Sequence, residues 1–495
     1  MIQAENHMER HTIPRWLNME IASKLGEMES SRKKEPERSL PAGTTLSELL
    51  EEWKIEKNLP LAIEIIAANE LNSENHSDQL FEIKEFARSR LQNIERVPPA
   101  LLTLIGDNEH IPIAGIRPVD VASIKKNLSE YPRNPLMWTE LARQYLINGY
   151  TDKSERAIKV AYGLAPNNRT VLRAIARFYS HIEDYAQARY YLQKSPKVKT
   201  DPWVLSAEIA ICNQSGITST FTKTGQRMLE SGNYQPNSLS ELGSELATMD
   251  FFSAKSKQGK RKLEAVVSAP HENAVAQLIW LDEHVYRIQP ILERVKKPLY
   301  NYEAESMSDY FRHDFVEAAK AAKEWRDYQP FSSKPITWMS YLLSDFLCKY
   351  EDACSVLKTA LKGNQTNVVV LNNYAYALIS TGNTNEAEHI IKLAKRIGTS
   401  QCSIPFMATE GFLAYRTGNR DLGREKYEQA VEMAKEVAQK TGDQRTLFEV
   451  YIHFAREELV SGHDISTLSS IISSRRFSKL REEFETVLTN FGLAW

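Results

Sequence analysis

Two groups of histidine and acidic residues have spacings that metal or hydrolytic chemistry uses. His7 and His11 are four residues apart, so on a helix both rings could reach one metal ion. No third ligand accompanies them, and two ligands hold a metal weakly, so we predict no metal there. His271 and Glu272 begin like the H-E-x-x-H pattern of zinc proteases, but the second histidine of that pattern is missing. The sequence therefore predicts no metal site.

The sequence signatures of nucleotide binding and of hydrolases are missing as well. Neither G-x-x-x-x-G-K-[ST] nor G-x-G-x-x-G occurs, so no loop is predicted to cradle a phosphate. The nucleophile elbow G-x-S-x-G is also absent. These observations favour a protein that is not an enzyme and uses no cofactor.

The overall charge shows no preference for nucleic acid. The chain has 62 Lys and Arg against 64 Asp and Glu, a formal net charge of -2, and 42% of its 495 residues are hydrophobic. This composition supports a large buried core without a strong field around it. The first residues lack the apolar stretch of a secretory signal, and no apolar run approaches membrane-spanning length. We predict a cytoplasmic protein with no membrane segment.

A pattern of about 34 residues repeats through the centre of the chain. The clearest unit runs from Pro135 to Pro166, with an apolar stripe, a turn glycine at Gly149 and a closing proline. Its signature residues are Trp138, Leu141, Ala142, Tyr145, Ile158 and Ala161. The pattern starts again at Arg169 and at Val368. Weaker copies between them begin near Pro202, Leu239, Asn273, Tyr300 and Lys334. Each copy has the spacing of two amphipathic helices joined by a short turn.

These residues resemble the tetratricopeptide repeat, whose pattern places Trp, Leu, Gly or Ala and Tyr on the first helix and Ala and Pro on the second. Ser154 stands where the second helix usually has Ala. The resemblance implies an all-α fold, an α-α superhelix of helical hairpins, in which each hairpin completes its core by stacking on its neighbours. Residues 235–328 depart most from the pattern, and the sequence leaves their register open.

The repeats and their flanks divide the chain into five predicted parts. These are a flexible N-terminal arm (1–43), an N-terminal helical cap (44–98), a connector (99–133), the solenoid with diverged middle repeats (134–437) and a C-terminal helical cap (438–495). Within the arm, an amphipathic helix is predicted from Pro14 to Met28, with Trp16 and Leu17 on its apolar side. Two roles are considered for the arm. It docks on its own solenoid, or it binds the groove of a partner.

The resemblance also implies that the first helices line a concave groove, and it indicates which of their positions face it. In the first two units those positions carry Arg143, Arg173, Arg177 and His181. Arg173 and Arg177 are one helical turn apart, so the arginines would form a basic surface suited to a carboxylate or phosphate. The alternative is that these arginines pair with acidic neighbours and only solvate the helix. The neighbours considered are Glu140, Glu183 and Asp184.

The unit that starts at Val368 has a more apolar lining. Its groove positions include Asn372, which could bond the backbone of an extended peptide, and Tyr376, which offers stacking area. For Tyr376 the alternative is ordinary packing between repeats.

Taken together, these features predict a non-enzymatic scaffold or regulatory subunit that binds a segment of another protein in its groove. An acidic or phosphorylated peptide would fit the arginines. The alternative is a peptide- or partner-responsive regulator in which the N-terminal helical unit acts on a second protein or on DNA. The many glutamates of that unit disfavour direct contact with DNA. An RNA-binding helical repeat protein is weighed lowest, because its basic stretch from Arg169 to Lys199 contains aromatic residues that repeat packing also explains. The oligomeric state is left open.

Overall fold

The computed structural model describes residues 10–16, 46–55, 57, 61–62, 65–66, 77–91 and 121–493, apart from 268, 297, 299 and 399–402. Within these ranges the regular structure is helical. The predicted all-α superhelix of helical hairpins is confirmed, because consecutive helices pair and each pair packs on the next. None of the helices in the described ranges is both long and apolar enough to span a bilayer.

The helices are named here in chain order. The helices before the array are α1 (Leu46–Ile55), α2 (Ser77–Leu91) and α3 (Val121–Glu130). The first half of the array comprises α4 (Pro135–Ile147), α5 (Thr151–Leu164), α6 (Arg169–His181), α7 (Tyr185–Lys194), α8 (Pro202–Gln214), α9 (Thr222–Glu230), α10 (Pro236–Phe252), α11 (Ser256–Val267), α12 (Glu272–His284) and α13 (Gln289–Leu292). The second half comprises α14 (Tyr302–Phe311), α15 (Phe315–Tyr328), α16 (Ser333–Tyr341, continued by a π-turn over Leu342–Phe346), α17 (Tyr350–Ala360), α18 (Val368–Ser380), α19 (Thr384–Ile397), α20 (Ser403–Arg416) and α21 (Arg420–Thr441). The chain ends with α22 (Arg445–Val460), α23 (Ser466–Ile472), α24 (Ser478–Glu483) and α25 (Glu485–Asn490).

Side-chain caps set where the first helices of several repeats begin. Asn134 accepts hydrogen bonds from the backbone N–H groups of the first turn of α4, and Asn168 does the same for α6. Asp201 and Asn367 cap α8 and α18 in the same way. Because a cap satisfies N–H groups that have no partner inside the helix, these Asn and Asp residues favour one starting point for each hairpin.

Ser154 shows how the fold tolerates a departure from the repeat pattern. Its side chain is fully buried between α4 and α5, where alanine is usual. The Ser154 hydroxyl donates a 2.7 Å hydrogen bond to the carbonyl oxygen of Ala142. In a later hairpin the direction is reversed: Ser306 of the first helix donates to the carbonyl oxygen of Ala318 in the second, at 2.6 Å. The buried hydroxyl therefore has the partner that burial requires.

Hairpins that are far apart in the sequence come into contact, so the superhelix closes on itself. The α4–α5 turn lies against residues 362–365, where a Cβ added to Gly149 would overlap the carbonyl oxygen of Lys362. His181 Nε2 lies 3.0 Å from the carbonyl oxygen of Gly363, and its ring packs edge-on against Phe331. The concave side is therefore enclosed by the array, where the sequence predicted an open groove.

The segments predicted as caps at the two ends have packing of their own. A small core of its own forms between α1 and α2, where Trp53 packs edge-on against Phe86. At the other end, the sequence from Phe477 to Phe491 is apolar on one side, but it folds as two short helices that meet at Phe484. Phe484 is buried at this break against Phe346 and Phe448.

Thiol reactivity should distinguish two of the cysteines. Cys212 is buried and its pKa is raised to about 12, chiefly by burial and also by the charge of Glu208, whereas Cys348 is exposed. We expect iodoacetamide at pH 8 to modify Cys348 at least about 100-fold faster, because only an accessible thiolate reacts. Peptide mapping by mass spectrometry over time measures both rates. Equal rates in the folded protein would contradict the burial of Cys212, and equal rates after denaturation are the control.

Candidate functional site on the inner surface

Acidic and amide side chains line the inner surface at the middle repeats. Glu241 and Glu245 are one turn apart on α10, Asn273 and Gln277 are one turn apart on α12, and Glu303 lies on α14. Residues four apart share one face of a helix, so these side chains point to the same side of three neighbouring helices. All of them are buried. Buried charges and amides need polar partners, and most of those partners come from the start of the chain.

Residues 10–16, with the sequence Arg-His-Thr-Ile-Pro-Arg-Trp, lie on this surface without helical structure. Their backbone is held by side chains of the array at three points. The backbone N–H of Thr12 donates to Glu245 Oε2 at 2.8 Å. Gln277 Nε2 donates to the carbonyl oxygen of Arg10 at 2.6 Å, and Asn273 Nδ2 donates to that of Ile13 at 3.2 Å. The array thus binds this segment partly through its main chain.

The side chains of the segment are held by ion pairs. Arg10 forks onto Glu303, with Nε 3.0 Å from Oε1 and one terminal nitrogen 3.0 Å from Oε2. Arg15 donates to the same carboxylate at 2.5 Å and lies 3.5 Å from Glu272. His11 Nδ1 lies 2.7 Å from Glu245 Oε1. Two arginines and an imidazole therefore face three carboxylates.

Trp16 anchors the end of the described segment. Its ring is 2% exposed and packs edge-on against Phe331, with the ring centroids 5.7 Å apart. It belongs to the apolar core of the first repeats, and Ile13 packs against the same core. Residues 14–16 are not helical, so the predicted amphipathic helix does not begin at Pro14, and its remaining residues lie outside the described part of the chain.

The ion pairs change the acidity of the carboxylates. Burial would raise the pKa of Glu303, but the charges of Arg10 and Arg15 outweigh it and lower that pKa to about 2. For Glu245, burial is again outweighed, by the charge of His11 and by hydrogen bonds from His11 and Thr12, so the pKa is lowered. These carboxylates therefore stay ionised at neutral pH although they are buried.

The arginines predicted to bind a partner lie on the inner side, but two of them have carboxylate partners within the array. Arg143 pairs with Glu140 at 2.8 Å, which is one of the neighbours considered from the sequence. Arg173 pairs with Glu241 at 2.9 Å and stacks on Trp203. Both arginines are buried, which corrects the expectation that they form an open basic surface. Their role in binding a partner stays a prediction.

Arg177 and His181 border a cavity of about 420 Å³ beside the segment. Arg177 donates to the Ser332 hydroxyl at 3.2 Å and lies over the ring of Phe331, and it forms no ion pair within the described residues. Burial lowers the pKa of Arg177 to about 10 and that of His181 to about 4, and for His181 the charge of Arg177 adds to the effect. Arg177 is thus the predicted arginine at which an acidic group of a partner could still bind.

Asn372 and Tyr376 are both buried, which corrects the predicted exposed lining. The hydroxyl of Tyr376 accepts a 2.8 Å hydrogen bond from Arg456 of α22, and its ring packs on Phe412. For Tyr376 the reason is that α22, which follows the last repeat and packs against α20, places Arg456 against its ring and hydroxyl.

Metal-binding geometry is not found in the described ranges: no group of three His, Cys, Asp or Glu side chains there could hold an ion. Of the histidine pair considered for a metal, His7 lies outside the described residues, and His11 lies against Glu245. His271 lies 2.7 Å from Glu272 Oε2, in the ion-pair network beneath the segment.

The sequence reasoning missed the acidic and amide residues because they lie in the diverged repeats, whose register was open. A usable signal was present. The spacing of four residues between Glu241 and Glu245, and between Asn273 and Gln277, places paired polar residues inside otherwise apolar helices. Polar pairs at buried positions indicate a bound polar partner.

Comparison with known proteins finds no family model and no curated protein that matches this chain. Among solved structures, the chain is similar to yeast Tom70, with 13% identity, coverage of 75% of this chain and 91% of that one, and a TM-score of 0.30. It is also similar to the APC/C hetero-tetramer Cut9-Hcn1, with 12% identity, coverage of 90% and 92%, and a TM-score of 0.41. These similarities are too low to carry a functional argument.

Proposed function

We propose that this protein is a non-enzymatic interaction scaffold that binds an extended segment of a partner protein on the inner surface of its solenoid. The observation that supports this most strongly is the binding of residues 10–16 by side chains from α10, α12 and α14. Three of the contacts are hydrogen bonds to the peptide backbone, and any extended segment can form such bonds. We also propose that the protein is cytoplasmic, as predicted from the sequence.

A full-length chain with a vacant site tests the proposal. The substitutions Arg10→Gln, Arg15→Gln and Trp16→Ala remove the main side-chain contacts of the segment and leave the inner surface unchanged; we call this chain the released variant. We expect it to bind a fluorescein-labelled peptide of residues 8–18 added in solution, measured by fluorescence anisotropy. A scrambled peptide of the same composition should bind at least about tenfold more weakly, because the backbone and side-chain contacts depend on order.

The location of binding is tested by a second substitution in the released variant. Gln277→Ala removes two hydrogen bonds to the peptide, one given to the Arg10 carbonyl and one accepted from its guanidinium, and should weaken binding about 10- to 100-fold. Gln429→Ala, on the exposed side of α21, is the matched control and should leave affinity unchanged. Failure of the folded released variant to bind the peptide would disprove the proposed function.

A regulator with an N-terminal effector unit is the second candidate. The supporting observation is the separate small core formed between α1 and α2, whose buried residues include Trp53, Ile65 and Ile83. This unit lies in the sequence between the bound segment and the array, so release of the segment would change how it is tethered. Binding of a second protein by this unit only in the released variant would favour the regulator over the simple scaffold.

A further inference from the structure

We infer that the inner site selects an extended cationic segment with two arginines five residues apart, and that residues 10–16 are its resident occupant, which a partner segment must displace. The inference rests on the proposed function, because it specifies the partner class and the regulation of the same site. It replaces the acidic partner that the arginines suggested with a basic one at the middle repeats.

The charge of the inner surface supports a cationic ligand. Glu245, Glu272 and Glu303 all face the segment, and their nearest contacts include His11, Arg15 and Arg10, respectively. Glu241, on the same face, already pairs with Arg173 of the array. Removing the segment would leave the array with three buried carboxylates and fewer cations.

The cations that would remain are too few to neutralise these carboxylates. Glu272 would keep its 2.7 Å contact with His271, and Glu303 would keep the longer-range attraction of Lys334. Glu245 would keep a hydrogen bond from the amide of Asn213, which carries no charge. Because a buried charge without a counter-charge is strongly unfavourable, the vacant site should bind cations and reject anions.

The spacing of the two arginines follows from the geometry of Glu303. Its carboxylate accepts the fork from Arg10 on both oxygens and a further bond from Arg15 on Oε2. Between the two arginines, Glu245 holds the backbone and hydroxyl of Thr12, and Asn273 holds the carbonyl of Ile13. One carboxylate thus binds both arginines of the segment, and this sets the distance between their guanidinium groups.

A partner segment can bind this site only by displacing residues 10–16. Residues 10–16 belong to the same chain, so their binding to the inner surface is intramolecular and does not depend on the protein concentration. A partner segment must therefore either bind more tightly than residues 10–16 or be present at high local concentration. The inner site would therefore stay occupied by residues 10–16 until a partner segment competes successfully for it.

Charge variants of the peptide test the selectivity. The released variant is titrated with three labelled peptides of residues 8–18: the native sequence, one with both arginines replaced by glutamine, and one with both replaced by glutamate. We expect the glutamine peptide to bind at least about 100-fold more weakly than the native one, and the glutamate peptide not to bind measurably. A peptide with the two arginines moved to a spacing of three residues should bind at least about tenfold more weakly than the native peptide.

The outcomes separate the inference from the proposed function. Equal binding of the native and glutamine peptides would overturn the cationic selectivity and leave the scaffold proposal intact. No binding of any peptide to the folded released variant would overturn both. Circular dichroism and urea unfolding establish that the variant is folded, and Trp16→Ala alone serves as a milder second variant.

The resident role is tested by comparing the released variant with the wild-type chain. We expect the wild type to bind the native peptide at least about 100-fold more weakly, because its own segment occupies the site. Equal affinities would overturn the resident role. Formation of wild-type dimers that excess native peptide dissociates would also overturn it, since the segment would then occupy the site of a second copy.

Discussion

Replacing Glu303 with glutamine should release residues 10–16 from the inner surface. The substitution keeps the size of the side chain but removes the charge shared by Arg10 and Arg15, which are both buried. Breaking a buried ion pair by removing one partner costs about 3–5 kcal/mol, because the other partner stays buried without its counter-charge. The population of docked segment should therefore fall by at least about 100-fold.

Hydrogen exchange measures this release. The N–H of Thr12 bonds to Glu245 in the docked segment and should exchange slowly in the wild type and much faster in Glu303→Gln. The matched control is Glu305→Gln on the same helix, because Glu305 borders a different cavity from the one beside the segment. Slow exchange at Thr12 in both variants would show that Glu303 does not hold the segment.

The lowered pKa of Glu303 also predicts how docking of the segment depends on pH. Its pKa is lowered from 4.5 to about 2 when the segment is docked. Because the charges of Arg10 and Arg15 lower this pKa only while the segment is docked, the ionised carboxylate stabilises docking at neutral pH, and this stabilisation is lost as the pH falls towards about 2. Docking should therefore persist through mild acid in the wild type.

Gly149→Ala should open the closed superhelix. Gly149 has a φ of +79° in the turn between α4 and α5, and an added methyl group would overlap the carbonyl oxygen of Lys362 across the closure. The left-handed backbone conformation costs alanine about 1–2 kcal/mol, and the overlap adds about 1–3 kcal/mol unless the two turns separate. We expect a lower free energy of unfolding and a larger radius of gyration.

Gly382→Ala is a close control for this experiment. Gly382 occupies the same place in the turn between α18 and α19, with a φ of +81°, but no neighbouring atom of the described residues lies within 4 Å of the position that an added Cβ would take. In Gly382→Ala the free energy of unfolding should fall only by the cost of the left-handed backbone, and the radius of gyration should stay that of the wild type. Urea unfolding and small-angle X-ray scattering measure the two effects. Identical behaviour of the two variants would show that the closure contributes nothing to stability.

The helical hairpins could be predicted because their information is local. The apolar stripe of α4, the cap at Asn134 and the turn at Gly149 lie within one repeat, and each acts over a few residues. The same signals recur at Arg169 and Val368, where α6 and α18 begin as the pattern predicts. Between these units, the weak starts near Pro202 and Asn273 fall at the beginnings of α8 and α12.

The predicted site was less accurate because the choice of partner is not local. Arg173 has no acidic residue on its own helix, and its partner is Glu241, which is 68 residues later. Tyr376 has a groove position in the repeat pattern, but Arg456 of α22 covers it from 80 residues away. Repeat position tells which side of a helix a residue faces, but it does not tell what packs there.

By itself, the sequence determined the class of fold, the hairpin as its unit and, in the well-matched repeats, the side of the first helix that turns inward, since these follow from periodicity, caps and turns. Only the tertiary structure decided that the superhelix closes and that residues 10–16 lie inside it. The contacts of Thr12 with Glu245 and of Arg10 with Glu303 join residues that are 233 and 293 positions apart. No local pattern encodes such pairs, because they depend on how the stacked repeats curve in space and bring three carboxylates around one cationic segment.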